Sequence, residues 1–257
     1  MPSASMGATL PLLLSIPHGG TDIPEEVVDD VVASEFDVLA DGDAFTAELY
    51  DLRAHVAHSL VATVARAFVD LNRAADDRPP ENPDGVVKTQ TVHGVALYRQ
   101  PLSDEAVDAL LGRYYHPYHE RLQALGRDGA IEIGIDCHSM LAKPPPGFPN
   151  RGPRPKFCVS NGDGQTAPAW QLTALRDALR IAFELDEEHV LANDPFRGGH
   201  IIRHHSTSRV SWLQLEINRS LYLDPATLEP LPGLDAMRQR LLIALERFAH
   251  TIEKGRA

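Results

Sequence analysis

Four apolar runs in this chain stop abruptly in polar residues: Ile16-Pro17-His18-Gly19-Gly20, Val69-Asp70-Leu71-Asn72-Arg73, Ile135-Asp136-Cys137-His138-Ser139 and Leu215-Glu216-Ile217-Asn218-Arg219. Nothing else in the chain constrains its fold as strongly, because short runs rich in β-branched and other apolar residues read as strands. Runs of this kind recur at Leu12 to Ile16, Leu60 to Leu71, Val95 to Tyr98, Ile131 to Cys137, Phe157 to Ser160, Val190 to Ala192, Ile201 to Arg203 and Trp212 to Ile217. Helical patterns lie between several of them. Ser103-Asp104-Glu105 caps a segment with Val107, Leu110, Leu111, Tyr114, Tyr118, Leu122 and Leu125 at helical spacing, and Ala236 to Glu253 repeats the pattern. Alternating strands and helices predict an α/β fold: a three-layer α/β/α sandwich around a mostly parallel or mixed sheet. In such a sheet the carboxyl ends of strands converge, so His18, Arg73, His138 and Glu216 are expected to share one pocket.

The 257 residues suffice for one large core, and residues 1–257 are read as a single catalytic domain. Twenty-four Lys and Arg against thirty-six Asp and Glu give a net charge of −12, which repels a phosphate backbone and argues against nucleic acid as a partner. Two cysteines, Cys137 and Cys158, are too few for a disulfide framework and read as free thiols. The apolar run Leu10 to Ile16 ends in Pro17-His18-Gly19-Gly20 rather than a cleavage site, and no stretch approaches the ~18 apolar residues of a membrane span. A cytoplasmic protein acting on a small molecule is expected, with its oligomeric state left open. Two Pro-rich stretches, residues 76–85 and 143–156, each follow a predicted strand and are either lids or plain surface loops.

Two neutral imidazoles and a carboxylate with one open position make a catalytic zinc site. His18 and His138 are the natural nitrogens, set against the plainer readings of a helix cap for His18 and a hydrogen-bonded core residue for His138. The residues alone leave the acid open among Asp22, Asp41, Asp43 and Glu48. Cys137 and Ser139 flank His138, but neighbours on a strand point to opposite faces, which disfavours covalent catalysis. Asp136 shares the face of His138 and suits an acceptor for a ligand's free N–H. In Trp212-Leu213-Gln214-Leu215-Glu216-Ile217-Asn218 the alternation sets Glu216 opposite Leu215, and a carboxylate on a central strand suits a general base. Arg73, Arg203 and Arg219 adjoin these motifs and suit a substrate carboxylate, or ion pairs with the chain's own acids. His116 and His119 stand at i, i+3 on a helix, a spacing that suits either metal binding or packing beside Pro117, and His204 and His205 are not both expected to be ligands.

The stretches SIPHGGTDIPEE, DGDAFTAELY, VDLNRAADD, YYHPYHERL, IDCHSM, DPFRGGHIIRHH and LQLEINRSLYLD, in this order, resemble the N-formylglutamate amidohydrolase family, which is similar in turn to zinc carboxypeptidases. The resemblance implies a zinc-exopeptidase-like fold and about one zinc ion per chain, with His18 and His138 as metal ligands and Asp43 as the third. It implies that Asn72 and Arg73, helped by Arg203, hold a substrate carboxylate and that Glu216 is the general base. The chain has Thr21 where carboxypeptidases carry a Glu, and Ala47 where family members often carry a second Asp. The implied reaction is hydrolysis of N-formyl-L-glutamate to formate and glutamate in histidine degradation. The rivals are a related deacylase of different specificity and a non-catalytic metal-binding or ligand-binding protein on the same fold.

Overall fold

The computed structural model describes residues 9–145 and 152–255. Six strands form one sheet: β1 (Leu10–Ile16), β2 (Val56–Val61), β3 (Ile133–Met140), β4 (Phe157–Ser160), β5 (Val190–Ala192) and β6 (Ser211–Asn218), in the order β2-β1-β3-β6-β4-β5. All neighbours run parallel except β4, which is antiparallel to β6. The expected α/β sandwich on a mostly parallel sheet is therefore what the chain forms.

The two faces of the central strands differ in kind because side chains alternate along a strand. One face carries Leu12, Leu14 and Ile16 on β1, Ile133, Ile135 and Cys137 on β3, and Leu213, Leu215 and Ile217 on β6, all buried in one apolar cluster. Helices α5 (Ala169–Phe183) and α7 (Leu234–Lys254) cover it through Leu172, Leu175, Leu241 and Phe248. The opposite face reads Leu13 and Ser15, then Gly134, Asp136 and His138, then Trp212, Gln214 and Glu216: apolar at the start of each strand and polar toward its end. Gly134 is required there, since a Cβ would lie 2.3 Å from the Trp212 ring of the neighbouring strand.

This second face is covered by α3 (Asp104–Leu110), α4 (His116–Leu125) and the short α6 (His200–His205). The Ser103 hydroxyl accepts from the Ala106 amide and caps α3 as expected. A π-helical turn at Leu111–Tyr115 joins α3 to α4, so the predicted single helix carries a change of phase midway. Two short helices, α1 (Glu35–Asp41) and α2 (Thr46–Leu49), follow β1 and deliver Asp43 between them.

Three expected strands are corrected. The run Leu60 to Leu71 is strand only as far as Val61; beyond isolated bridges at Val64 and Ala65 it turns, with the Phe68 and Val69 amides both bonded to the Ala65 carbonyl. A continuous apolar run carries no period that separates strand from buried turn, and Ala67, Phe68 and Val69 are wholly buried. Val95 to Tyr98 makes only isolated bridges. Ile201 to Arg203 lies in α6, where Ile201, Ile202 and His205 share the buried side; tertiary packing overrides β-branched preference there. Of the two Pro-rich stretches, residues 146–151 lie outside the described residues.

Candidate active site

His18 follows β1 by two residues, His138 lies near the end of β3, and Glu216 stands directly beside His138 in the β3–β6 register. The chain after His18 passes through α1 and comes back at Asp43, whose amide donates to the His18 carbonyl at 3.1 Å. The result is a tight triangle: His138 Nδ1 is 3.2 Å from His18 Nδ1 and 3.1 Å from Asp43 Oδ2, and His18 Nδ1 is 3.4 Å from the same oxygen. All three side chains are buried.

Each imidazole is oriented from behind. His18 Nε2 lies 2.8 Å from Asp70 Oδ1, and His138 Nε2 lies 2.7 Å from Asp136 Oδ2, so both far nitrogens keep their protons and both Nδ1 atoms face inward. Asp136 also accepts from the Ser15 hydroxyl at 2.9 Å. Asp43 is oriented as well: Arg219 Nη2 donates to its Oδ1 at 2.9 Å and the Ser139 amide to its Oδ2 at 3.1 Å. Burial alone would push the Asp43 carboxyl up, yet His138, His18 and Arg219 hold it well below the carboxylate range. Glu216 is the opposite case: burial raises it, despite the pull of His138 and a hydrogen bond from Gln214 Nε2 at 2.8 Å. Two carboxylates in one pocket with pKa values driven apart is the pattern of an acid–base site.

The triangle opens into a cleft of about 280 Å³ lined by His18, Asp43, Asn72, Arg73, His138, Arg154, Gln214, Glu216 and Arg219 among others. His18, Asp43, Asn72, Arg73, His138, Glu216 and Arg219 thus meet at one place. Arg203 does not: it is exposed and bonds Gln165 Oε1 and the Arg197 carbonyl, because helical α6 turns it away from the cleft. Arg219 is committed to Asp43, Ser139 and the Gly42 carbonyl, so its charge serves the acidic corner of the triangle instead of a substrate. Among the other acids, Asp22 and Glu48 are exposed, and Asp41 is taken up by Lys88 at 2.7 Å and by Arg66. Arg73 faces the cleft but is neutralised by Asp84 at 2.7 Å and Asp70 at 3.6 Å. Asn72 Oδ1 accepts from the Ile201 amide at 2.8 Å, and its Nδ2 lies 3.1 Å from His138 Nε2.

Asp70 and Arg154 also stand at this site, and the sequence reading gave neither a role. Asp70 was signalled by its place two residues before Asn72 in a motif already singled out, whereas Arg154 carries no local signal. It reaches the cleft from the segment before β4, bonded to the Leu141 carbonyl at 3.2 Å, with its guanidinium 5.0 Å from the Phe196 ring. Among the described residues no carboxylate pairs with it. Cys137 and Cys158 are free and buried, and Cys137 packs in the apolar cluster on the face away from His138.

Burial opposes the ionised form of Asp70, but Arg66, His18 and Arg73 hold its carboxyl well below the usual carboxylate range. A depressed pKa means that the stabilisation is complete above the unfolded value of ~3.9 and is lost as pH falls through the folded one. Asp70→Asn should therefore cost about 3 kcal/mol at neutral pH, and variant and wild type should converge in urea titrations as pH drops below ~4. A gap that stays constant with pH would assign the loss to packing instead.

A buried His-His-Asp triangle beside Glu216, at the carboxyl ends of the parallel strands β1, β3 and β6, has the side-chain types of a hydrolase site. A family model for N-formylglutamate amidohydrolase matches residues 10–223. The chain is 33% identical to an N-formylglutamate deformylase of Pseudomonas aeruginosa over 84% of its own length and 83% of that protein's. It is 28% identical to an N-formylglutamate deformylase of Pseudomonas putida, covering 95% of this chain and 92% of that one. Among solved structures it superposes on N-formylglutamate amidohydrolase from Ralstonia eutropha JMP134 with a TM-score of 0.80 at 25% identity, covering 97% and 96% of the two chains. The chain belongs to the N-formylglutamate amidohydrolase family. Among the described residues no helix is long and apolar enough to cross a membrane.

Proposed function

We propose that this chain hydrolyses the formyl amide of N-formyl-L-glutamate to formate and L-glutamate, with one zinc ion held by His18, Asp43 and His138. The observation that carries the reading is the convergence of three donor atoms within 3.4 Å of one another, beside Glu216. Two imidazole nitrogens and a carboxylate oxygen are the ligand types of a catalytic zinc. The far nitrogens donate to Asp70 and Asp136, which turns both Nδ1 atoms toward the position the ion would take. When bound, the ion supplies Lewis acidity to the scissile carbonyl and to water.

The remaining steps fall to the chain itself. Glu216 accepts a proton from the attacking water and returns it to the amine as the C–N bond breaks, a task suited to a carboxyl lifted above its ordinary range by burial. Arg154 meets a substrate carboxylate, since it is the cleft arginine that no acid pairs with among the described residues, while Asn72 and Arg73 line the same cleft. The net charge of −12 suits a small-molecule substrate rather than nucleic acid, and two buried free thiols suit the reducing cytoplasm.

Formate release should be measured across N-formylglutamate, N-formyl amino acids without a side-chain carboxylate, and N-acetylglutamate. N-formylglutamate should turn over best, and Arg154→Gln should raise its KM roughly 10- to 100-fold with little change in kcat, as expected for one charge-assisted contact. Equal turnover of N-formyl amino acids lacking the carboxylate would reject the substrate assignment.

A further inference from the structure

A second group of imidazoles lies behind the segment that carries Asp70 and Asn72. His119 on α4 and His205 on α6 are both buried, with His119 Nδ1 only 2.9 Å from His205 Nε2 and the rings stacked at 10°. His119 Nε2 donates to the Leu71 carbonyl at 3.0 Å, so its Nδ1 carries a lone pair aimed at His205. His204 stands edge-on to both rings, at 5.7 Å from His119 and 4.9 Å from His205, and His200 stacks on His204 at 5.0 Å. The π-helical turn at Leu111–Tyr115 helps set this phase, since Tyr115 contacts both the His119 ring and His200.

In a chain with thirty-six acidic residues, none forms an ion pair with these four histidines among the described residues. Three imidazole nitrogens, from His119, His204 and His205, lie within 4.8 Å of one another. Binding an ion at the ~2.0–2.1 Å bonds of zinc requires the exposed His204 to turn inward and the His119 and His205 nitrogens, which face each other at 2.9 Å, to open around the metal in place of their N–H···N hydrogen bond. An all-nitrogen donor set selects a borderline transition metal over magnesium or calcium.

We propose that His119, His204 and His205 form a second, structural metal site for zinc or a similar transition ion, separate from the His18-Asp43-His138 triangle. The ion would tie α4 to α6 at the point where both helices hold the catalytic segment: His119 grips the Leu71 carbonyl, while the His200 and Ile201 amides donate to the Asn72 carbonyl and side chain. The role is positional, acting on the backbone between Asp70 and Arg73 and touching no reacting atom. The inference stands independently of the function proposed for the first site.

The test is metal content of the full chain after loading with zinc and removal of free ion, together with the absorption spectrum of the cobalt-substituted protein. Wild type should hold about two ions per chain and His204→Ala about one, with loss of one set of low-coordinate cobalt bands. His205→Gln should lose the same ion, and His204→Ala, at an exposed position, serves if that buried variant folds poorly. Zinc should raise the melting temperature of wild type more than that of His204→Ala. Should the first site bind nothing, the counts become about one and zero and the difference still stands. Equal metal content and equal zinc-induced stabilisation in wild type and His204→Ala would overturn the proposal and leave stacked imidazoles that only pack.

Discussion

Glu216→Gln should lower kcat for formate release by roughly 10²- to 10⁴-fold, the usual worth of a positioned general base. The substitution is nearly isosteric, and Gln214 can still donate to the side-chain oxygen at residue 216, so the strand should hold its shape. Bound metal should stay at the wild-type level, because Glu216 is outside the triangle of mutual 3.1–3.4 Å contacts. KM should change little. Metal analysis and steady-state kinetics on the same preparation would separate the outcomes: loss of kcat with metal retained supports the base role, and near-normal kcat removes Glu216 from it. The alternative of a purely structural carboxylate is disfavoured by energetics, since burial raises this group and folding gains nothing from keeping it charged.

Stripping the metal should be about as severe. Lewis-acid activation is worth several kcal/mol, so a chelated preparation should lose about 10³-fold or more in formate release, with zinc restoring it. Rebinding should weaken as the solution becomes acidic. Burial pulls His138 down, but Asp136 and Asp43 raise it well above an ordinary histidine, so without metal its ring is protonated at neutral pH. An incoming cation has to displace that proton, and affinity therefore falls with falling pH. Calorimetry in buffers of different ionisation enthalpy would count the proton released. A chelated, metal-free preparation that still turns over at the wild-type rate would rule out the mechanism.

Much of this site was legible from residue patterns. Alternation along Ile135-Asp136-Cys137-His138-Ser139 sends Cys137 into the apolar cluster and His138, with Asp136, to the polar face, and the same rule sets Glu216 opposite Leu215. The residue pattern left the acid open and only the family resemblance pointed to Asp43; of its rivals, Asp22 and Glu48 are exposed and Asp41 is committed to Lys88. Arg73 and Arg219 lie at the cleft as expected, but the acids beside them, Asp84 and Asp43, already absorb their charge. Which arginine is free depends on tertiary contacts: Asp43 meets Arg219 from 176 residues away and Asp84 folds back onto Arg73 across 11, so the residue pattern alone could not decide it.

The chain's own alternation and polar strand ends determined that His18, His138 and Glu216 would gather at one sheet edge, because side-chain direction in a strand is a local property of the backbone. The tertiary structure alone decided what surrounds them. β4 runs against β6, pairing Phe157 with Ile217 and Cys158 with Glu216, so its amino end lies at the same edge as the carboxyl ends of β1, β3 and β6 and brings Arg154 into the cleft. Residues 66–73 turn instead of continuing β2, which carries Asp70 back to His18. Ile201 and Ile202 bury themselves on a helix, which points Arg203 outward and gathers His119, His204 and His205 beneath the catalytic segment. Strand direction and helix placement are set by long-range burial shared among many residues, whereas the pattern of a single segment records only which of its own faces is apolar.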